Sequence, residues 1–336
     1  METILLTGGA GYIGSHVILD LLEADKKVVV IDNLSTGRAY LIPQGVDFYR
    51  GDFADTHILD KIFSDHAIDS VMHFAGLIDA NESIKKPVEY RFENTEKTKI
   101  FLEYCEAKGV QKFLFSSSAA VYGNPLNPNV TEDTLCAPLT PYGSSKLMAE
   151  SVILDLANTS KMRCGILRYF NVVGADPQGR AGQPNDLASN LFSTLCRVVL
   201  GQQRQFIVYG TDYDTPDGSC IRDFIHVADL ARAHHLLLKQ LKKEQGPLVL
   251  NCGYGHGHSI LEVVRACEKV IGKPVPHVIG PRREGDIEQS VANVDKLNAT
   301  IPWQPRFDNL EDMITSALKW ERRKSELQSS LTSIAS

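Results

Sequence analysis

The chain has 336 residues, 43% hydrophobic and 23% charged, with a formal net charge of -6 and a pI near 5.9. It exceeds the length at which one hydrophobic core keeps growing, so two lobes are expected, and its acidity offers no basic footprint for nucleic acid or an anionic membrane surface. No apolar run approaches the roughly 18 residues of a membrane span, no basic-then-apolar leader opens the chain, and the seven cysteines (Cys105, Cys136, Cys164, Cys196, Cys220, Cys252, Cys267) are never spaced Cys-x-x-Cys, so a cytoplasmic protein with reduced thiols is expected.

Short apolar runs recur at Ile4 to Thr7, Val28 to Ile31, Val46 to Tyr49, Val71 to Phe74, Phe113 to Phe115 and Gly165 to Leu167, with amphipathic stretches between most of them. This rhythm predicts an α/β fold, a Rossmann-type doubly wound parallel sheet covered on both faces. From about residue 173 the rhythm breaks: Asp176-Pro177, Gly179, Gly182 and Pro184 predict a long loop before a helix of about Leu187 to Leu200. The division expected is a Rossmann-type domain over 1–172, a smaller α/β lobe over 173–323 and a frayed polar tail over 324–336. Its boundary is soft, because Ile225 to Leu241 and Leu248 to Asn251 could return to the first sheet.

The first strand runs into Thr7-Gly8-Gly9-Ala10-Gly11-Tyr12-Ile13-Gly14, followed by helical periodicity to Leu22. Such glycines let the chain turn tightly and let a pyrophosphate approach the helix N-terminus, although a turn without a ligand has the same composition. Asp32, closing the second strand about 20 residues on, suits ribose hydroxyls and repels a 2'-phosphate, which favours NAD over NADP. Asp52 either receives an adenine amino group or caps the helix that begins near Asp55. Phe74-Ala75-Gly76 and Ser116-Ser117-Ser118 end the fourth and fifth strands at the carboxyl edge of the sheet, as close cofactor approach and a donor to a substrate hydroxyl, or as plain turns.

Two Tyr-x-x-x-Lys pairs occur. An ammonium about 4 Å from a phenolate, at an effective dielectric of about 20, offsets the roughly 4 kcal/mol needed to ionise a phenol at neutral pH. Tyr104 and Lys108 sit late in a helix before Gly109, where packing and C-terminal charge explain them. Tyr142 and Lys146 start a helix marked by Thr140-Pro141, after the serine turn, and only they can face the cleft.

Together with Asp32-Asn33-Leu34, Phe74-Ala75-Gly76-Leu77, Ser116 to Gly123, Pro141 to Lys146, Arg168-Tyr169-Phe170-Asn171, Arg222 to Val227 and Pro281-Arg282-Arg283-Glu284-Gly285-Asp286, these motifs run in order along nearly the whole chain. The sequence resembles the extended short-chain dehydrogenase/reductase family, most closely its UDP-sugar 4-epimerases. The resemblance implies NAD as cofactor, held by Gly8, Gly11, Tyr12, Ile13, Gly14, Asp32, Asn33, Asp52, Phe53, Phe74, Ala75, Gly76, Lys146 and Phe170. It implies that Tyr142 is the base, that Lys146 lowers its pKa and holds the nicotinamide ribose, and that Ser118 assists at the substrate hydroxyl. Tyr169, Phe170, Asn171, Asn190, Leu191, Arg222, Arg283 and Asp286 would line the UDP-sugar site, and first-lobe helices would join a homodimer. Arginine forks suit a diphosphate on chemical grounds as well, though a single arginine is more often a solvated charge. No metal is expected at His256 and His258, and His226 reads as a hydrogen-bonded structural residue.

Eliminating relatives carry an acid just after the strand-end Ser or Thr, where this chain has Ala119 and Ala120. A non-catalytic dinucleotide sensor on the same fold is the rival of a different class. The chain departs from its resemblance at Ser290, where glucose-selective bacterial members carry Tyr; the space left predicts acceptance of UDP-N-acetylhexosamines. Ile78 stands for a usual Lys and Glu93 for an Asn, changes expected to loosen NAD.

Overall fold

A computed structural model describes residues 2–185, 190–244, 246–283 and 285–334, with side chains as far as Leu327. Seven strands, β1 (Thr3–Thr7), β2 (Lys27–Asp32), β3 (Asp47–Arg50), β4 (Ser70–His73), β5 (Lys112–Ser116), β6 (Arg163–Tyr169) and β7 (Leu248–Cys252), form one parallel sheet in the order β7-β6-β5-β4-β1-β2-β3. All residues of β1, β4 and β5 are buried, as strands covered on both faces must be. Ile4 and Leu6 pack with Val17, Leu21, Leu230 and Leu237, from helices Tyr12–Glu23 and Val227–Gln240. Leu5, between them, faces the other way into Leu59, Phe101, Leu102 and Ile153, from helices Thr56–Asp65, Lys97–Ala107 and Pro141–Thr159.

The late segment left open by the sequence does join this sheet, with β7 along β6 from Leu248 beside Gly165 to Cys252 beside Tyr169. The other lobe is built on a four-stranded sheet of His258–Ser259, Ile221–Arg222, Gln289–Ala292 and Asn129–Val130, and on the pair Phe206–Tyr209 and His277–Gly280. Asn129–Val130 comes from the first half of the chain, so the lobes exchange a strand. Asp223 ties the exchange together: its buried carboxylate accepts from the amides of Tyr254 at 2.8 Å, Gly255 at 3.0 Å and Ala292 at 3.2 Å. A β-carbon on Gly253 would lie 2.4 Å from that carboxylate, so only glycine fits there.

Two expectations are corrected. The helix foreseen from about Leu187 is described as Leu191–Val199, Leu187 to Ser189 lying outside the described residues. The expected polar tail is helical as far as Ile334: Leu310–Ile334 is a single helix, in which Trp320 and Lys324 are buried and Lys324 pairs with Glu321 at 2.8 Å. Its first turns carry an apolar face that the sequence beyond Lys324 lacks, and the same hydrogen-bonded ladder carries that face's order into the polar turns.

Candidate active site

β1 and β4 are neighbours whose chains leave in opposite directions across the sheet, which opens a crevice at their carboxyl ends. Gly8 leaves β1 with φ +70°, and a β-carbon there would lie 2.7 Å from the amide nitrogen of Ala75, at the end of β4. On Gly14 a β-carbon would lie 2.3 Å from the Gly8 carbonyl oxygen. Helix Tyr12–Glu23 begins at Gly11 with no side-chain cap, so the amides of its first turn remain for an anionic ligand. At the end of β2, Asp32 accepts from Ala10 N at 2.9 Å and Leu34 N at 2.8 Å, and burial holds its carboxyl above the ordinary value. The resulting cleft, about 360 Å³, is lined by Gly8, Gly11 to Gly14, Asp32, Asn33, Asp52, Phe53 and Phe74 to Gly76. These residues fit a dinucleotide: close-packed glycines, uncapped amides for the pyrophosphate and a carboxylate for the ribose.

Two of the expected cofactor residues stand apart from that lining. Phe170 is buried with Val121, Tyr122, Val130 and Ala292. Lys146 lies beneath the cleft wall, where a β-carbon on Gly76 would be 3.9 Å from Nζ. The side chain of Tyr12 turns away, its hydroxyl donating to Gly174 O at 2.5 Å. The capping alternative for Asp52 falls, because Asp55 caps helix Thr56–Asp65 by accepting from His57 N at 2.9 Å. Asp52 instead takes Ala54 N at 2.9 Å and the Lys97 ammonium at 2.7 Å.

Tyr142 is in the first turn of helix Pro141–Thr159, fixed by Pro141 and by Thr140, whose hydroxyl accepts from Gly143 N at 3.2 Å. Ser118 stands beside its phenol, and the Ser118 oxygen accepts from Ala120 N at 3.2 Å. One turn on, the Lys146 ammonium donates to Ser116 O at 3.1 Å and lies 4.8 Å over the Phe115 ring. Burial pushes this lysine down to about 8, with the Glu150 carboxylate opposing. The phenol of Tyr142 is pushed up by burial, and Ser118 opposes that rise. At the phenol burial outweighs Ser118, and the Lys146 ammonium gives one of its N–H groups to the Ser116 carbonyl. Sequence reasoning overlooked Asn94 as a brace. It sits in a π-helical turn, Phe92–Glu96, accepts from Leu77 N at 2.7 Å and donates to Ser145 Oγ at 3.0 Å; Ser145 Oγ in turn donates to the Tyr142 carbonyl at 2.8 Å. The other pair, Tyr104 and Lys108, meets Asp60 at 2.7 Å and 2.9 Å on the surface, away from the cleft.

In the second lobe Arg283 is bidentate on Asp286, at 2.9 Å and 3.1 Å, and Arg222 approaches the same carboxylate at 4.0 Å. Ser290 is buried and stands in register beside Arg222 on the adjacent strand. Tyr209, also missed from sequence, lies under the Arg283 guanidinium at 4.6 Å; its only signal was an aromatic at the end of a short apolar run. Tyr169 lines the cofactor cleft, and its phenol is pushed up by burial and by the nearby Tyr142. Asn171 donates its amide to Asp223 O at 3.0 Å. Asn190 caps helix Leu191–Val199 by accepting from Ser193 N at 2.9 Å, which makes Leu191 its first residue. Glu284 lies outside the described residues. His226 caps helix Val227–Gln240 by accepting from Ala228 N at 3.1 Å. His256 has an acidic partner that sequence proximity did not reveal, Asp308 at 2.9 Å, and among the described residues no three His, Cys, Asp or Glu side chains form a candidate metal cluster.

A model of the NAD dependent epimerase/dehydratase family matches residues 4–253. The chain belongs to that family. NAD is therefore its cofactor. Over 319 residues the chain is 47% identical to a UDP-glucose 4-epimerase of Azospirillum brasilense, covering 95% of this chain and 92% of that one. Its fold is similar to a crystal structure of UDP-glucose-4-epimerase from Stenotrophomonas maltophila with bound NAD and formylated UDP-arabinopyranose, with TM-score 0.94, 38% identity and coverage of 97% and 100%. It is also similar to the UDP-Glc/GlcNAc 4-epimerase from Campylobacter jejuni, with TM-score 0.85, 40% identity and coverage of 96% and 100%.

The buried lysine gives a pH test. Its folded value, about 8, lies below the ordinary 10.5, so between them the unfolded chain binds the extra proton and stability rises with pH. A Lys146→Met variant lacks that component. Urea unfolding of the cofactor-free proteins at about pH 8, 9 and 10 should show wild type gaining on the variant by on the order of 2 kcal/mol; a pH-independent difference would contradict the depressed lysine.

Proposed function

We propose that this chain catalyses the reversible C4 epimerisation of UDP-hexoses, UDP-galactose and UDP-glucose, through a 4-keto sugar. The observation that carries this reading is the Tyr142 phenol beside Ser118 and set one turn before Lys146, next to a cleft shaped for NAD. The Tyr142 oxygen takes the proton of the C4 hydroxyl, which Ser118 shares. When bound, NAD would supply the two-electron oxidant, taking hydride from C4 and giving it back to the opposite face of the keto sugar. Lys146, behind Gly76, would hold the nicotinamide ribose with the N–H groups that the Ser116 carbonyl leaves free. Arg222 and Arg283, oriented by Asp286, hold the diphosphate while the keto sugar turns over. Ala119 and Ala120, in the short turn after Ser118, provide no acid to expel a hydroxyl, which supports epimerisation over elimination.

We further propose that UDP-N-acetylglucosamine and UDP-N-acetylgalactosamine are substrates. Support comes from the small side chain of Ser290 beside Arg222, and from the similarity to a structure described as a UDP-Glc/GlcNAc 4-epimerase. The partner we propose is a second copy of the chain. Ile84, Val88 and Phe92 are 63%, 72% and 51% exposed on the helices before Lys97, and they continue into a depression lined by Pro87, Val88, Leu139 and Met148. The unpaired cysteines and the absence, among the described residues, of a helix long and apolar enough to cross a membrane suit a cytoplasmic enzyme.

Purified protein given UDP-galactose and no added cofactor should form UDP-glucose, resolved by anion-exchange chromatography. Tyr142→Phe should lose at least about a thousandfold in kcat with UDP affinity unchanged; retained turnover would remove Tyr142 as the base. Ser290→Tyr should suppress turnover of the two N-acetylated sugars selectively, and equal loss on plain and acetylated sugars would refute its role. Sedimentation of the wild type should give a dimer and of Val88→Asp a monomer, whereas a monomeric wild type would dismiss the proposed face.

A further inference from the structure

The dinucleotide cleft is strongly acidic for a pocket that takes an anion. Among the described residues that line it, Asp32, Asp52, Glu89 and Glu93 face a single cation, Lys97. That ammonium is heavily engaged. It is 2.7 Å from Asp52 Oδ2, 2.7 Å and 2.8 Å from the two oxygens of Glu93, and 5.6 Å from the centre of the Phe92 ring. Glu93 and Lys97 are one helical turn apart, at the junction of the π-helical turn Phe92–Glu96 with helix Lys97–Ala107, so the pair forms locally whatever occupies the cleft. Asp52 comes from the opposite wall, after β3, and Ile78, on the lining too, adds no charge.

We propose that Lys97 is a cofactor-retention residue, whose ammonium offsets the carboxylates at the adenosine end of the cleft and orients Asp52, while Glu93 draws it away from the dinucleotide. With Lys97 present the four carboxylates and one ammonium sum to three negative charges; without it the anionic dinucleotide meets four. Removing Glu93 instead leaves two and frees the ammonium toward the ligand. The two side chains touch each other yet have opposite effects on the same ligand, which a merely structural ion pair would not produce, since breaking such a pair from either side would loosen the fold alike. The inference rests on NAD occupying this cleft and not on the sugar chemistry.

The test is exchange of radiolabelled NAD into the purified holoenzyme. Lys97→Met should speed exchange about tenfold and Glu93→Gln should slow it several-fold at low salt, with both differences shrinking as salt screens the partly exposed charges. Lys97→Arg should stay near wild type. Thermal melts of each variant report folding separately, and Glu93→Gln keeps the proposal open to refutation if Lys97→Met is unstable. Unchanged exchange in Lys97→Met, or faster exchange in both variants, would overturn it. Protein that carries NAD but forms no UDP-glucose would remove the proposed activity and leave this result standing.

Discussion

A buried ion pair holds the reactive helix to the sheet. Glu150, two turns beyond Tyr142, receives the Arg168 guanidinium on both oxygens, at 3.0 Å through Nε and 2.6 Å through Nη2, and also accepts from the Ser117 hydroxyl. Arg168 continues to the Tyr122 hydroxyl at 3.0 Å, which donates to Asn251 at 2.6 Å on β7. One network thus spans helix Pro141–Thr159, the serine turn, β6 and β7, and it sets where Tyr142, Lys146 and Ser118 stand relative to one another. Removing one partner of such a pair strands the other as a buried charge, a loss of about 3 to 5 kcal/mol. The Glu150 carboxylate also favours the charged form of Lys146, so the element that fixes the helix also tempers its lysine.

The second constraint is close approach. Gly8 lies against the end of β4 and Gly14 against Gly8, at separations that leave no room for a side chain. That contact brings the uncapped helix N-terminus, Asp32 and the Phe74-Ala75-Gly76 turn around one cleft. In an acidic chain the groups suited to anions are local: uncapped backbone amides in one lobe and an arginine pair steered by Asp286 in the other.

Much of this was legible along the chain because its physical causes are local. Buried parallel strands need short continuous apolar runs, a tight strand-to-helix turn needs glycine, and a helix start is marked by Thr140-Pro141; each follows from neighbours within a few residues. The surface role of Tyr104 and Lys108 was legible for the same reason. Less legible were features whose cause lies far off in sequence. Asp308 reaches His256 across the fold, Lys97 reaches Asp52 from another helix, and the cation over Tyr209 comes from a different strand region. Helix Leu310–Ile334 was read as ending in a polar tail because composition registers the loss of apolar residues but not the cooperativity of a helix already packed.

By itself the sequence determined the parallel sheet and the glycine cleft with Asp32 at its rim, since spacing and backbone preference act over a few residues. Only the tertiary structure decided how those groups are tuned. Lys146 gives one N–H to the Ser116 carbonyl, and burial pushes the Tyr142 phenol up. Desolvation and hydrogen bonding depend on what surrounds a group in space, and those surroundings are assembled from strands and helices that lie far apart along the chain.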